Sequence, residues 1–296
     1  RARNGLSRIH DVEADVQRHL LEVGMNPGGV DRSVMWADLE EHSGEWQRLF
    51  DWARVPPDYR AGLSGDEQSH RARILNASRE AVVETIFSGG RRDLESMKLG
   101  VVTCDPGPNS NAPAAVREAA DSCIRMLGKR RRIDTHRATP DNHQLPKYAR
   151  DYLEVVAAAN GRRPDDFIQD VSDLLTAAGV FRQGLLQFTG LLIRNPDSSY
   201  YECARCGRIH LHRSGGICSN CHDAIGAPKQ IGVDDAGQDA DYYRWLATDA
   251  GAIFRLNCAE LTGQTDKVLA RNRQRLFQNI TVGDEVPLTD NIDLLS

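Results

Sequence analysis

Two C-x-x-C pairs, Cys203/Cys206 and Cys218/Cys221, stand about a dozen residues apart in the stretch Tyr200–His222, YYECARCGRIHLHRSGGICSNCH. Four thiolates on two such turns can fill a tetrahedron around one zinc ion, because each pair bites the metal while turn amides point at the sulfurs. Gly207, directly after Cys206, suits a knuckle that needs freedom from a Cβ. Between the pairs, Ile209 and Leu211 alternate with His210 and His212, a strand period, and Ser214-Gly215-Gly216 is expected to turn the chain back. The expectation is a zinc ribbon with a closed four-sulfur site, hence a structural Zn2+. A redox dithiol is the rival, and two matched pairs are hard to explain that way. His210, His212 and His222 are alternative nitrogen ligands that all-cysteine coordination does not need.

The metal reading depends on compartment. The chain starts RARNGLSRIHD, without the apolar core of a secretory signal, and no apolar run approaches the roughly 20 residues of a membrane span. These features predict a soluble, cytoplasmic protein with no membrane partner, in which paired cysteines ligate metal before they oxidise. Its 296 residues suffice for two or three domains, and a net charge of −5 argues against a globally basic nucleic-acid binder. Residue 1 is Arg and the last residues are the apolar run NIDLLS, so the chain reads as a piece of a longer one.

The fold class expected is mixed. A mainly helical accessory region spans residues 1–145. Ile9, Val12, Val16, Leu20 and Val23 mark its first helix, and Trp36, Leu39, Trp46, Leu49, Phe50 and Trp52 read as a helical core closed by Pro56-Pro57. Ser64 with Glu67 predicts a capping box, Val101–Cys104 a strand, and Ala114 to Leu127 a helix. Cys104 and Cys123 read as small buried hydrophobes. Lys129, Arg130 and Arg131 head the most basic run, which either contacts a nucleic-acid backbone or is a solvated helix end. Residues 146–199 have the outline of a winged-helix module: helices Tyr148–Ala159 and Pro164–Ala178, then short strands Leu185–Phe188 and Leu191–Ile193 around Gly190. The ribbon occupies residues 200–226. Its Arg205, Arg208, His210, His212 and Arg213 are either a nucleic-acid contact or a polar outer face.

From residue 240 the chain reads as α/β. A strand Ala252–Cys258 leads into Thr262-Gly263-Gln264-Thr265, then an arginine-rich helix Lys267–Ile280 with Leu269, Leu276, Phe277 and Ile280 inward, then a strand Ile292–Leu295. The segments RLNCAELTGQTD, RNRQRLFQNI and NIDLLS resemble the second RecA-like domain of superfamily 2 helicases. With the ribbon upstream, the resemblance is to the large helicases of bacterial anti-phage defence systems of the Druantia and DISARM kind. It implies that residues 240–296 begin a RecA-like parallel sheet and that the earlier region clamps or guides DNA beside other defence-system subunits. It also implies that Thr262, Gly263, Gln264, Thr265, Arg271 and Arg275 contact the nucleic-acid backbone, and that ATP and Mg2+ are used by the parent enzyme.

No G-x-x-x-x-G-K-[ST] loop occurs, so this chain alone is expected to be inactive as an ATPase, and no residue of it is assigned a catalytic role. Asp11-Val12-Glu13-Ala14 superficially matches an acidic helicase box but lies on an amphipathic helix. The alternative is a non-enzymatic adaptor in which winged helix and ribbon bind nucleic acid or protein.

Overall fold

The computed structural model describes residues 5–40, 43–104, 111–136, 140, 142–231, 257–283, 285 and 290–295. Strand β1 (Leu6–Arg8) runs straight into α1 (Ile9–Glu22), and α2 (Arg32–Met35) is a single turn capped by Asp31, whose side chain accepts from Ser33 N. The Trp-rich stretch forms a 3-10 turn, Trp46–Leu49, and a hairpin of β2 (Phe50–Asp51) with β3 (Asp58–Tyr59), not the expected helix. Pro56 and Pro57 follow too closely for a helix to continue, since proline supplies no N–H. The rings pack edge to face: Trp46 meets Phe50 and Trp52 at 5.8 Å, and Phe50 stacks on Tyr59 at 4.4 Å. Leu39 is exposed rather than part of this core.

The capping box forms as expected at α3 (Gly65–Ile86). Ser64 N donates to Glu67 Oε2 at 2.8 Å, and Glu67 N donates to Ser64 Oγ at 3.3 Å. After β4 (Val101–Thr103) come three helices, α4 (Ala114–Lys129), α5 (Lys147–Ala159) and α6 (Pro164–Ala177). Their apolar residues recur at helical spacing, and Ile124, Leu127, Tyr152, Leu153, Phe167, Val171 and Leu175 share one core. Cys123 is fully buried there and Cys104 nearly so, as small hydrophobes; burial pushes the Cys123 thiol far up.

The hairpin after α6 differs from the expected one. Its strands are β5 (Phe181–Arg182) and β6 (Leu185–Leu186), joined through Gln183 and Gly184, both at positive φ, as a two-residue primed turn demands. Gly190 ends a 3-10 turn, Phe188–Gly190, and closes no hairpin between strands. A Cβ there would lie 2.6 Å from Gly179 O, so it is a close-approach glycine. Consequently β7 (Leu192–Arg194) leaves the hairpin and becomes the centre of an antiparallel sheet β1–β7–β4. Three further strands, β8 (Ser199–Glu202), β9 (Ile209–His210) and β10 (Lys229–Gln230), form a second antiparallel sheet in the order β10–β8–β9.

Next in the described chain is β11 (Cys258–Ala259), followed by α7 (Lys267–Phe277) and β12 (Leu294–Leu295). β11 and β12 are parallel, Cys258 opposite Leu294 and Ala259 opposite Leu295. No wider parallel sheet is present among the described residues. Of the expected strand Ala252–Cys258, residues 252–256 lie outside the described ones. α7 buries no residue: Leu269 and Phe277, and Ile280 just beyond it, all expected inward, are 44%, 47% and 48% exposed. No described helix is long and apolar enough to cross a membrane.

Contacts divide the chain into two compact units, Arg1–Glu13 with Glu80–Thr248, and Ala14–Arg79 with Asp249–Ser296. The first holds the three-helix core, both three-stranded sheets and the cysteine pairs. The second holds the aromatic cluster and the parallel pair β11–β12.

Candidate metal centre

Each C-x-x-C pair sits in a turn closed by the same backbone bonds. Gly207 N donates to Cys203 O at 2.8 Å, and His222 N donates to Cys218 O at 3.0 Å. The residue after the second cysteine is left-handed in both knuckles, Gly207 at φ 63° and His222 at φ 62°. Glycine at 207 meets that requirement without strain, which the sequence had signalled. The hairpins close across the knuckles: Tyr201–Glu202 pairs with Ile209–His210, and Ile217 bridges Ala224. The expected pairing of Ile209–Leu211 with Ile217–Cys218 does not form.

The two knuckles bring Sγ of Cys203, Cys206, Cys218 and Cys221 within 4.8 Å of one another, the one such ligand group among the described residues. Cys203 Sγ lies 3.4 Å from Cys221 Sγ, and Cys206 Sγ lies 3.6 Å from Cys218 Sγ. A tetrahedral ion with metal–sulfur bonds of about 2.3 Å spaces its ligands about 3.8 Å apart, so the cage fits a thiolate-bound metal. A disulfide, at about 2.05 Å, it does not fit. Burial pushes the Cys206 thiol up, but the Arg208 amide and the neighbouring thiols outweigh it and bring it down to about 7. The Asn220 amide donates to Cys218 Sγ at 3.4 Å.

The histidines lie outside the four-sulfur group, and His210 and His212 are not a polar outer face either. His210 is 1% and His212 7% exposed. Burial, with Arg125, His212 and Arg208 nearby, pushes His210 well below its usual pKa, so the ring is neutral. Its Nε2 lies 3.4 Å from Cys218 Sγ, where an N–H on that nitrogen supports a thiolate ligand. His212 Nδ1 accepts from Ser214 N at 3.1 Å. His222 has its ring 6.0 Å from that of Tyr152.

A buried polar network bolts this centre to the helices. Arg125 on α4 donates to Asp93 Oδ1 at 2.6 Å and to Ile209 O at 2.7 Å, and pairs with Glu95 at 3.0 Å. Glu95 Oε1 accepts from Leu211 N at 2.9 Å. Burial pushes Asp93 up, but Arg125, Lys129 and the Ser96 hydrogen bonds hold it below the usual carboxylate range. The turn Ser214–Gly216 is packed inward. Tyr152 Oη donates to Ser214 O at 2.8 Å, Asn160 Nδ2 to Gly215 O at 2.9 Å, and Gly215 N to Glu118 Oε2 at 3.0 Å. Gly215 has φ 63°, and a Cβ there would lie 2.5 Å from Val156 Cγ1. Asp93, Glu95, Arg125 and Tyr152 were not singled out in the sequence; the available signal was Asp121, Ser122 and Arg125 interrupting an otherwise apolar stretch of α4.

Asp121 carries a testable consequence. Its Oδ1 accepts from Thr103 Oγ1 at 2.7 Å, and burial pushes the carboxyl up to about 6, against the pull of His212 and that hydrogen bond. The unfolded carboxyl titrates near 4, so between about 4 and 6 the folded state binds the extra proton and stability falls as pH rises. Asp121→Asn removes that loss and should gain up to about 3 kcal/mol near neutral pH, fading in acid. Urea unfolding of both proteins across that range measures it; a gap independent of pH would contradict the assignment.

The basic residues singled out in the sequence are distributed. Lys129 reaches Asp93 at 3.3 Å and Arg208 the same carboxylate at 3.5 Å, while Arg131 turns to Glu84 at 2.6 Å. Arg130 rides over the Tyr148 ring, 4.2 Å from its centroid. Arg205 and Arg213 are exposed, Arg205 paired with Asp223 at 3.2 Å. In the other unit, Thr262–Thr265 is a surface turn in which Thr265 Oγ1 accepts from Thr262 N at 3.0 Å, with Gly263 and Gln264 exposed. Arg271 is exposed, whereas Arg275 is held by Glu285 in a two-pronged ion pair. No protein-family model, curated protein or solved structure matches the chain.

Proposed function

We propose that this chain is the zinc-braced accessory region, with the start of the second motor lobe, of an ATP-dependent superfamily 2 helicase or translocase acting on DNA in anti-phage defence. The observation that carries the reading is the parallel β11–α7–β12 crossover, with Thr262–Thr265 in an exposed turn directly after its first strand. That arrangement supports the motor resemblance: an exposed turn after a parallel strand, beside the exposed Arg271, offers salt-sensitive, sequence-indifferent backbone contacts of the kind a translocating enzyme needs. The ion at the four cysteines is a structural Zn2+, since four sulfurs leave no open coordination position. The phosphate loop and the Mg2+ carboxylates belong to sequence other than this chain.

The expected result is that the zinc-loaded chain binds DNA with a steep salt dependence and hydrolyses no ATP. A longer polypeptide containing it, together with a phosphate loop, should show DNA-stimulated ATPase. No stimulation in such a polypeptide would reject the motor reading. One observation favours the adaptor alternative: α4–α6, the β5–β6 hairpin and the cysteine knuckles share one contact unit, separate from the β11–β12 pair. DNA binding undiminished when Thr262, Gln264 and Arg271 are all replaced by alanine would move the function to that unit.

A further inference from the structure

Beside the second knuckle, a half-open cleft of about 460 Å3 lies among α4, α5 and residues 219–222. Arg125, Lys129, Arg130 and Arg208 line it, with Ser219 and Asn220 of the knuckle. We propose that this cleft binds a phosphate group. Resting on the nucleic-acid reading above, that group is a phosphodiester of the strand backbone.

Charge is the first support. The lining holds one carboxylate, Asp151, and Lys147 already pairs with it at 2.8 Å. Beneath the cleft, Arg125, Lys129 and Arg208 converge on Asp93 at 2.6, 3.3 and 3.5 Å, with Glu95 as the second anion, so three cations meet two carboxylates. Both carboxylates are buried, their side chains 1% and 5% exposed, and are engaged by these three cations. Burial, together with Arg208 and Arg125, holds Lys129 below its usual pKa despite Asp93.

Donor geometry is the second. Arg125 is 4% exposed, yet its Nε has no hydrogen-bond partner among the described residues. Arg130 lies over the Tyr148 ring, 4.2 Å from its centroid, and no described carboxylate pairs with it, so its N–H groups are left for other oxygens. Asn220 Oδ1 accepts from Arg208 at 3.2 Å, an orientation that leaves the Nδ2 donor available. Zn2+ with four thiolates is a net anion, and the Cys218 and Cys206 charges already act on Arg208. Lys129 is already engaged by Asp93 at 3.3 Å, so the charge left for a ligand is that of Arg130.

The test uses the full metal-loaded chain. Inorganic phosphate is followed through the NMR signals of Arg130 Nε–H and the Asn220 side-chain amide, and a labelled single-stranded oligonucleotide through fluorescence anisotropy. Phosphate should shift both signals. Arg130→Gln, a change at an exposed position, should abolish the Asn220 shift and leave metal content intact. It should also weaken oligonucleotide binding roughly 10-fold and lower the salt slope by about 1, with partial rescue by Arg130→Lys. Signals that stay still under phosphate overturn the cleft as a phosphate site, and so does metal loss in Arg130→Gln, which would make this arginine a counter-charge of the metal centre. Phosphate shifts without any oligonucleotide binding would keep the cleft and overturn the nucleic-acid reading. Oligonucleotide binding unchanged in Arg130→Gln would place the strand elsewhere.

Discussion

Stringent chelation is expected to remove one metal ion per chain and to loosen α4 and α5 along with the knuckles. In small zinc domains, metal binding supplies about 10–16 kcal/mol of folding free energy. Here the loss has a route into the helices. Ile217, next to Cys218, belongs to the main core, and Ser214 is tied to Ser122 Oγ at 2.5 Å and to Tyr152 at 2.8 Å. Hydrogen exchange before and after chelation should therefore show deprotection at residues 203–222 and also along α4 around Ser122. Cys203→Ser and Cys218→Ser should reproduce the effect, whereas Cys123→Ala, buried among apolar neighbours, should keep its metal. Elemental analysis that finds no bound metal in the native chain, or unchanged exchange after chelation, would remove the site.

The second large effect is expected at Arg125. Arg125→Met leaves Asp93 and Glu95 buried without their shared cation, with side chains 1% and 5% exposed. Stranding a buried charge typically costs about 3–5 kcal/mol. Glu95 loses its arginine while Asp93 keeps Lys129 and Arg208, so the lower half of that range is expected in urea unfolding. Neutralising Glu95 in the same protein, Glu95→Gln, should restore much of the loss, because the penalty lies in the anion left without its arginine. The Asp93 carboxyl is held low by its cations, so its contribution is present above the unfolded carboxylate range and disappears as acid protonates it. A loss below about 1 kcal/mol would mean that water reaches this network.

Local features were legible wherever one residue type meets a local demand. The capping box at Ser64 and Glu67, the strand at Val101 and the helices either side of Gly161 follow from caps, branched side chains and breakers. The Trp-rich stretch was misread because large apolar residues at short spacing fit a helix and a packed hairpin equally well; rings meeting at 4.4 to 5.8 Å decided it. The strands expected on either side of Gly190 do not pair with each other, because sequence does not distinguish a glycine that closes a hairpin from one needed for clearance.

For the candidate site, the sequence by itself marked the four cysteines that come together. Two-residue spacing within each C-x-x-C is a local geometric fact, and Gly207 adds the left-handed residue that the first knuckle needs. Only the tertiary structure decided what the metal centre holds. Arg125 meets Asp93 across 32 residues and Ile209 across 84, and Tyr152 meets Ser214 across 62. Ion pairing and hydrogen bonding depend on distance in space and on burial, neither of which a linear spacing encodes. The same holds for His210 and His212: alternation predicted two faces, and packing buried both.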